Sequence, residues 1–165
     1  MASNDILIDL SVKGRYTTAD GVGAVEDKLY LDRQIEFSTG SGFDQSDAVF
    51  EQSINITASG NETLNLSALT DPLGAALNFT RIKAIVVYAD PTNVNDIVLG
   101  NAGTTPFSGP FSGTALVHVP PGGELAMVNP QAAGWAVGAG INLLVANGGA
   151  GTSVTGKLLI IGARE

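Results

Sequence analysis

Apolar and polar residues alternate along most of this chain. The pattern is clear in residues 5–12 (Asp-Ile-Leu-Ile-Asp-Leu-Ser-Val) and again in residues 27–31. A period of two places one face of a strand in the core and the other in water, so both segments are predicted to be half-buried strands. Residues 81–88 end in a continuous apolar run, which predicts a central strand buried on both faces. The other predicted strands are 52–57, 62–66, 96–99, 114–119, 124–128, 136–146 with a glycine-marked break, and 154–161.

Segments rich in turn-forming residues separate these strands, notably 100–103, 120–123 and 147–151. Helical periodicity is nearly absent: only residues 67–77 are expected to form a short helical turn or two, around Asp71-Pro72. About ten short strands with a turn signal every 8–12 residues predict an all-β fold. We expect an antiparallel β-sandwich of jelly-roll type rather than a closed barrel.

The chain shows no linker long or biased enough to divide it, so residues 1–165 are predicted to form a single domain. Residues 1–40 leave two interpretations open. They either contribute strands to the sandwich or form an extended arm or strand-swapped segment. The second interpretation follows from the tendency of exposed edge strands to pair with a neighbouring molecule's sheet.

Charge is scarce and unevenly distributed. Only 15% of residues are charged, against about 25% in an average soluble domain. Residues 1–71 contain 12 acids and 4 bases and carry all of the net charge of −8, whereas residues 72–165 contain 4 of each. Between Asp96 and Lys157 the one formally charged residue is Glu124. Loops in this stretch must reach the surface, so we expect residues 97–156 to form a neutral surface that contacts other copies or a partner.

Several function classes are disfavoured by the same composition. A net charge of −8 without a basic cluster disfavours nucleic-acid binding. Glycines interrupt the apolar run 125–156, which disfavours a membrane span, and the first residues lack the basic start of a secretory signal. The absence of cysteine excludes thiolate metal sites and thiol nucleophiles. We expect no cofactor.

The candidate catalytic motifs are weak. Residues 151–157 fit the G-x-x-x-x-G-K pattern of a phosphate-binding loop, but Leu158 replaces the required Ser or Thr and a strand follows instead of a helix. His118 is the only histidine and has no nucleophile elbow to serve. The acidic turns 90–96 and 44–47 offer oxygen ligands for calcium, yet neither has the spacing of a calcium-binding loop. We therefore predict no catalytic residue and no metal site.

Four residues are predicted to contact a partner instead: Trp135, His118, Phe107 and Phe111. Trp135, the single tryptophan, is the type of residue that anchors cores and interfaces. His118 lies in a predicted strand, where it is expected to point to solvent or to a neighbouring subunit.

The C-terminal two-thirds of the chain resembles small β-rich virion proteins of tailed bacteriophages. Six segments carry the resemblance. They are Ile82–Tyr88, Asp96–Gly100, Val119–Leu125, Gly134–Val137, Asn142–Asn147 and the closing strand Gly156–Gly162. Their order is similar to that of jelly-roll capsid decoration (cement) proteins.

The resemblance implies a non-enzymatic subunit made in the host cytoplasm and located on the capsid surface of the virion. Such a protein is a homotrimer or homodimer that stabilises contacts between major capsid subunits. Two alternatives stay open: a carbohydrate- or receptor-binding β-sandwich module, and a tail or neck structural subunit. A hydrolase on a β scaffold is the least supported hypothesis.

Overall fold

A computed structural model describes residues 5–19, 24–112 and 115–164. All regular elements in this part of the chain are β-strands, which confirms the predicted all-β class. In chain order they are β1 (Ile6–Ala19), β2 (Ala24–Thr39), β3 (Gln45–Ser46), β4 (Ala48–Ile56), β5 (Asn61–Asn65), β6 (Leu69–Thr70), β7 (Ala76–Leu77), β8 (Arg81–Ala89), β9 (Ile97–Asn101), β10 (Leu116–Val119), β11 (Glu124–Val128), β12 (Trp135–Ala136), β13 (Asn142–Asn147) and β14 (Val154–Ala163).

Eight of these strands form two antiparallel sheets. Sheet I has the order β11-β8-β14-β4, with β12 also pairing with β8, and sheet II has the order β10-β9-β13-β5. Alternate residues of both sheets point into one shared core. Sheet I contributes Phe50, Ile54, Ile85, Val87, Leu158 and Ile160, and sheet II contributes Leu64, Leu99, Val119, Leu143 and Val145. Two sheets enclosing one core are consistent with a β-sandwich.

Strand β8 is the central strand that its apolar run predicts. It lies between β11 and β14, and six of its nine residues are buried. Its pairing with β14 shifts between Ile161 and Gly162, because Ile161 opposes Ala84 whereas Gly162 opposes Ile82. The intervening residue, Lys83, therefore has no partner on β14 and forms a β-bulge.

The predicted helical turns at residues 67–77 are wrong. This segment forms the small antiparallel pair β6–β7, closed by a turn at Asp71. The Asp71 carboxylate accepts hydrogen bonds from the amides of Leu73 and Ala75, at 2.9 and 2.8 Å. Gly74 follows with a φ of 87°, a conformation that suits glycine and ends any helical path. Local side-chain bonding thus outcompetes the helix.

Strands β1 and β2 form a long antiparallel ribbon, running from the pair Ile6–Phe37 to the pair Ala19–Ala24. The base of the ribbon packs on the outer face of sheet I, where Phe37, Ala84 and Ile161 form a second buried cluster. Farther along the ribbon the same apolar face is uncovered. Its exposed residues are Leu10, Val12, Leu29 and Leu31.

Candidate assembly surface

The outer face of sheet II is apolar and almost free of charge. Strand alternation turns Leu99, Leu143 and Val145 into the core, so their neighbours along β9 and β13 point outward. The outward residues of the two central strands are Val98, Gly100, Asn142, Leu144 and Ala146, of which Val98 and Gly100 are buried and the other three are partly exposed. Leu116 of the edge strand β10 pairs with Gly100 and is 48% exposed. These residues belong to the stretch 97–156 that the charge distribution predicts to be a neutral surface.

One ionisable pair borders this face. The His118 Nδ1 lies 3.2 Å from the Asp96 Oδ2, with the two side chains 56% and 38% exposed. Among the outward-pointing residues of the described strands of sheet II, His118 is the only titratable one, because Glu62 of β5 lies on the same side of the sheet as the core residues Leu64 and Val145. The outward side chains of the edge strand β5 are polar but neutral, namely Asn61, Thr63 and Asn65. We refer to the outward residues of β9, β10 and β13 as the neutral face.

The outer face of sheet I is different. It carries Glu124 and the ion pair between Lys157 Nζ and Glu51 Oε1, which are 3.3 Å apart. The base of the ribbon covers another part of it, with Ile8 and Ile35 packing near Val128. The scarcity of charge in the C-terminal half is therefore a property of the outer face of sheet II and not of the whole sandwich.

The structure separates the four predicted partner-contacting residues. Phe107 and Phe111 are 1% and 2% exposed, with their rings edge to face at a centroid distance of 6.4 Å. They are core residues of the single chain. Trp135 is half-buried in β12 and packs against this core, close to Gly109. His118 lies exposed at the neutral face. Of the four, His118 and Trp135 retain surface for a partner.

Residues 151–157 do not form a phosphate-binding loop. Gly156 and Lys157 lie within β14, and Lys157 pairs with Glu51. A Cβ atom at Gly156 would lie 2.2 Å from the Tyr88 carbonyl oxygen. The close approach of β8 therefore explains this glycine, and the segment continues as a strand where a phosphate would need a helix.

The acidic turns use their oxygens internally. Asp90 Oδ1 accepts hydrogen bonds from the amide and hydroxyl of Thr92, at 2.8 and 2.6 Å, which lower the pKa of the Asp90 carboxyl. In the second turn, Asp47 Oδ1 accepts from the Arg164 amide at 2.9 Å. Across the described ranges, no three His, Cys, Asp or Glu residues are grouped so that they could hold a metal ion.

The sequence pattern does not reveal the structural role of Lys83. Its side chain is fully buried at the bulge of β8, and its ammonium donates to the carbonyl oxygens of Ser41 and Gly42. Burial is the main cause that lowers the pKa of Lys83, and the positive charge of Arg81 adds to it. These bonds fix the loop between β2 and β3, so Lys83 positions the base of the ribbon on the sandwich. In the sequence it looks like an ordinary solvent-facing residue of an alternating strand.

No helix in the described residues is long and apolar enough to cross a membrane. Comparisons with protein-family models, with curated proteins and with solved structures find no match to this chain. The assignment of function therefore depends on the geometry of its surfaces and on the resemblance described above.

Proposed function

We propose that the sandwich is a jelly roll. The support is its strand order. If the eight sandwich strands β4, β5, β8, β9, β10, β11, β13 and β14 are lettered B to I in chain order, sheet I reads G-D-I-B and sheet II reads F-E-H-C. A jelly roll, which consists of two interleaved Greek keys in eight strands, has these two orders. Strands β6, β7 and β12 are then small additions to that framework.

We further propose that the protein is a non-enzymatic structural subunit of a virion, a decoration protein that binds the surface of a bacteriophage head. The single observation that carries the proposal is the neutral face. Interface cores are depleted of charge relative to the rest of a protein surface, and this face is depleted while the opposite face of the sandwich is not. Jelly rolls recur in viral capsids, although a fold alone does not define a function.

The proposed partner of the neutral face is the major capsid protein. Leu116, at 48% exposure, and the half-buried Leu144 would complete their burial against an uncharged patch of that protein. Fully burying a leucine contributes about 1.5–3 kcal/mol, so the exposed half of Leu116 contributes about 1 kcal/mol and the smaller exposed part of Leu144 contributes less. Repeated around a particle, such modest contacts give a stable coat because every copy makes the same ones.

The proposal is tested by binding to heads that lack the subunit. Purified chain is mixed with such heads, and the bound fraction is measured by co-sedimentation. Leu116→Lys introduces a charge on the neutral face and is expected to lower binding at least tenfold. Leu73→Lys is the matched control, because Leu73 is 88% exposed in the loop between β6 and β7. Equal binding by both variants, or no binding by the unaltered chain, contradicts the proposal.

The alternatives predict other outcomes. A carbohydrate-binding module needs an aromatic platform open to a sugar, whereas Trp135 is half-buried against the core. Glycan-array binding that disappears in Trp135→Ala would establish that function in place of decoration. A tail or neck subunit would sediment with tails and not with heads.

A further inference from the structure

The ribbon presents an open edge along β1. The strand order β1-β2-β3 gives β1 a hydrogen-bonded neighbour on one side and no described strand on the other. Proteins usually protect an exposed edge of this length with bulges, prolines or covering loops. β1 is 14 residues long, and its pairing with β2 runs without a register shift. An isolated two-stranded ribbon is only marginally stable in water, so a further strand would stabilise it.

Charges on β1 are segregated along its length. Asp9 lies nearer the base of the ribbon, and Lys13 and Arg15 lie farther out, on the same polar face. Within the ribbon, Asp9 accepts a hydrogen bond from Gln34 at 3.1 Å, and the Lys13 ammonium lies 5.6 Å from the centre of the Tyr30 ring. Neither contact brings an opposite formal charge to Asp9 or Lys13. On the other face of β1, Leu10 and Val12 are exposed.

We propose that β1 pairs antiparallel with β1 of a second copy of this chain, across a two-fold axis at Ser11. In this register Asp9 of each copy lies opposite Lys13 of the other, and Leu10 lies opposite Val12. Charge complementarity selects the arrangement. Parallel pairing in register would place Asp9 opposite Asp9 and Lys13 opposite Lys13, and like charges directly opposed destabilise a sheet.

The pairing joins two ribbons into one four-stranded sheet with the order β2-β1-β1-β2. The apolar face that Ile6 and Ile8 begin on one copy continues into Val12 and Leu10 of the other. Because the strands are antiparallel, the outer half of each ribbon lies beside the base of its partner, which packs on its own sandwich. The dimer uses a different surface from the neutral face, so it is independent of the proposed binding to a capsid.

The absence of cysteine from the chain makes disulfide trapping a direct test. Directly opposed residues of an antiparallel pair have Cα atoms about 4.5–5.5 Å apart, within the range that a disulfide bridges. Ser11→Cys in the full chain is therefore expected to form covalent dimers under mild oxidation. The matched control is Asp32→Cys, because Asp32 pairs with Ser11 within the ribbon and is also exposed. Its two copies would lie three strand spacings apart, about 14 Å, and should not link.

Charge reversal tests the orientation of the two strands. Lys13→Glu places like charges opposite each other twice in the dimer and is expected to raise the dimer dissociation constant about tenfold, measured by analytical ultracentrifugation. The double variant Asp9→Lys with Lys13→Glu restores both opposite pairs and should return the constant to within about threefold. Lys28→Glu makes the same change of charge on β2, opposite Arg15, and should leave the dimer dissociation constant nearly unchanged.

Three results would overturn the pairing. The first is a chain that stays monomeric at high concentration. The second is covalent dimerisation of the Asp32→Cys variant while the Ser11→Cys variant remains unlinked. The third is a double charge variant that dimerises no better than Lys13→Glu alone.

Discussion

Asn147 connects the β4–β5 turn to the β13–β14 turn at one end of the sandwich, and its replacement by aspartate should be strongly destabilising. The side chain is 7% exposed at the end of β13. Its amide nitrogen donates to the carbonyl oxygens of Ile56, Thr57 and Thr152, at 3.3, 3.1 and 2.8 Å. Aspartate has the same shape but offers no donor when ionised. The change therefore turns three attractive contacts into repulsive ones without creating a cavity.

The expected magnitude follows from the bond count. The two N–H groups of Asn147, shared among three carbonyls, give about 2 kcal/mol at a net value of about 1 kcal/mol each, and carbonyls left unsatisfied near a buried carboxylate raise the loss toward about 5 kcal/mol. The neighbouring carbonyl oxygens also raise the pKa of the new carboxyl above its value in the unfolded chain. A group with a raised folded-state pKa favours folding when it is protonated, so the deficit relative to the unaltered chain should shrink as the pH falls from about 7 to about 4.

Urea unfolding of Asn147→Asp and of the unaltered chain at about pH 7 and about pH 4 measures both effects. Asn95→Asp is the control, since its amide nitrogen makes longer contacts, at 3.4 and 3.3 Å, to the carbonyls of Ala150 and Thr152. Asn95→Asp should lower the free energy of unfolding by less than about 1 kcal/mol because these contacts are solvent-exposed. A deficit below about 1 kcal/mol for Asn147→Asp, or one that does not depend on pH, refutes the assignment of Asn147 as the buried donor that joins these loops.

Three further predictions concern glycine, lysine and aspartate positions. Gly156→Ala places a Cβ atom 2.2 Å from the Tyr88 carbonyl oxygen and should lower the free energy of unfolding by about 1–3 kcal/mol, measured by thermal or urea unfolding. In Gly138→Ala the nearest neighbour of the new Cβ atom would be 3.6 Å away, so the free energy of unfolding should not change. Lys83→Met removes the ammonium that holds the loop after β2, so amide hydrogen exchange should accelerate in residues 40–44 while the sandwich core keeps its protection. Asp90→Asn removes a carboxylate whose pKa the Thr92 hydrogen bonds lower. A carboxyl whose pKa is lower in the folded than in the unfolded state stabilises the fold above the unfolded-state pKa, and this stabilisation is lost as the pH falls through the folded-state pKa. Asp90→Asn lacks this contribution, so it should lose less stability than the unaltered chain below about pH 4.

The sandwich strands could be predicted because each has a local apolar pattern, alternating in most strands and continuous in β8 and β9. Residues 124–128 coincide with β11, and the glycine-marked break in 136–146 separates β12 from β13. The length of the ribbon was not predictable. Alternation stops at Lys13-Gly14-Arg15, where neither face is buried, so no core imposes a pattern on the outer half of β1.

The residues predicted to contact a partner show why composition alone does not place a side chain on the surface or in the core. Phe107 and Phe111 lie in a Gly- and Pro-rich segment that is typical of a surface loop, yet the loop folds back and both rings enter the core. Lys83 is the opposite case, a charged residue that becomes buried because a register shift turns it toward the loop carbonyls. Both outcomes depend on how distant segments meet, which no local pattern encodes. The neutral face was foreseeable from the charge distribution, whereas its confinement to sheet II required the strand order.

We propose that this chain coats a phage head through the neutral face of sheet II. Electron cryomicroscopy of the particle with and without the chain tests it most directly. We expect extra density on the outer surface of the head, fitted by the sandwich with Leu116 and Leu144 directed toward the capsid and the ribbon directed away. Extra density confined to the tail or neck, or a sandwich oriented with the neutral face toward solvent, would contradict it.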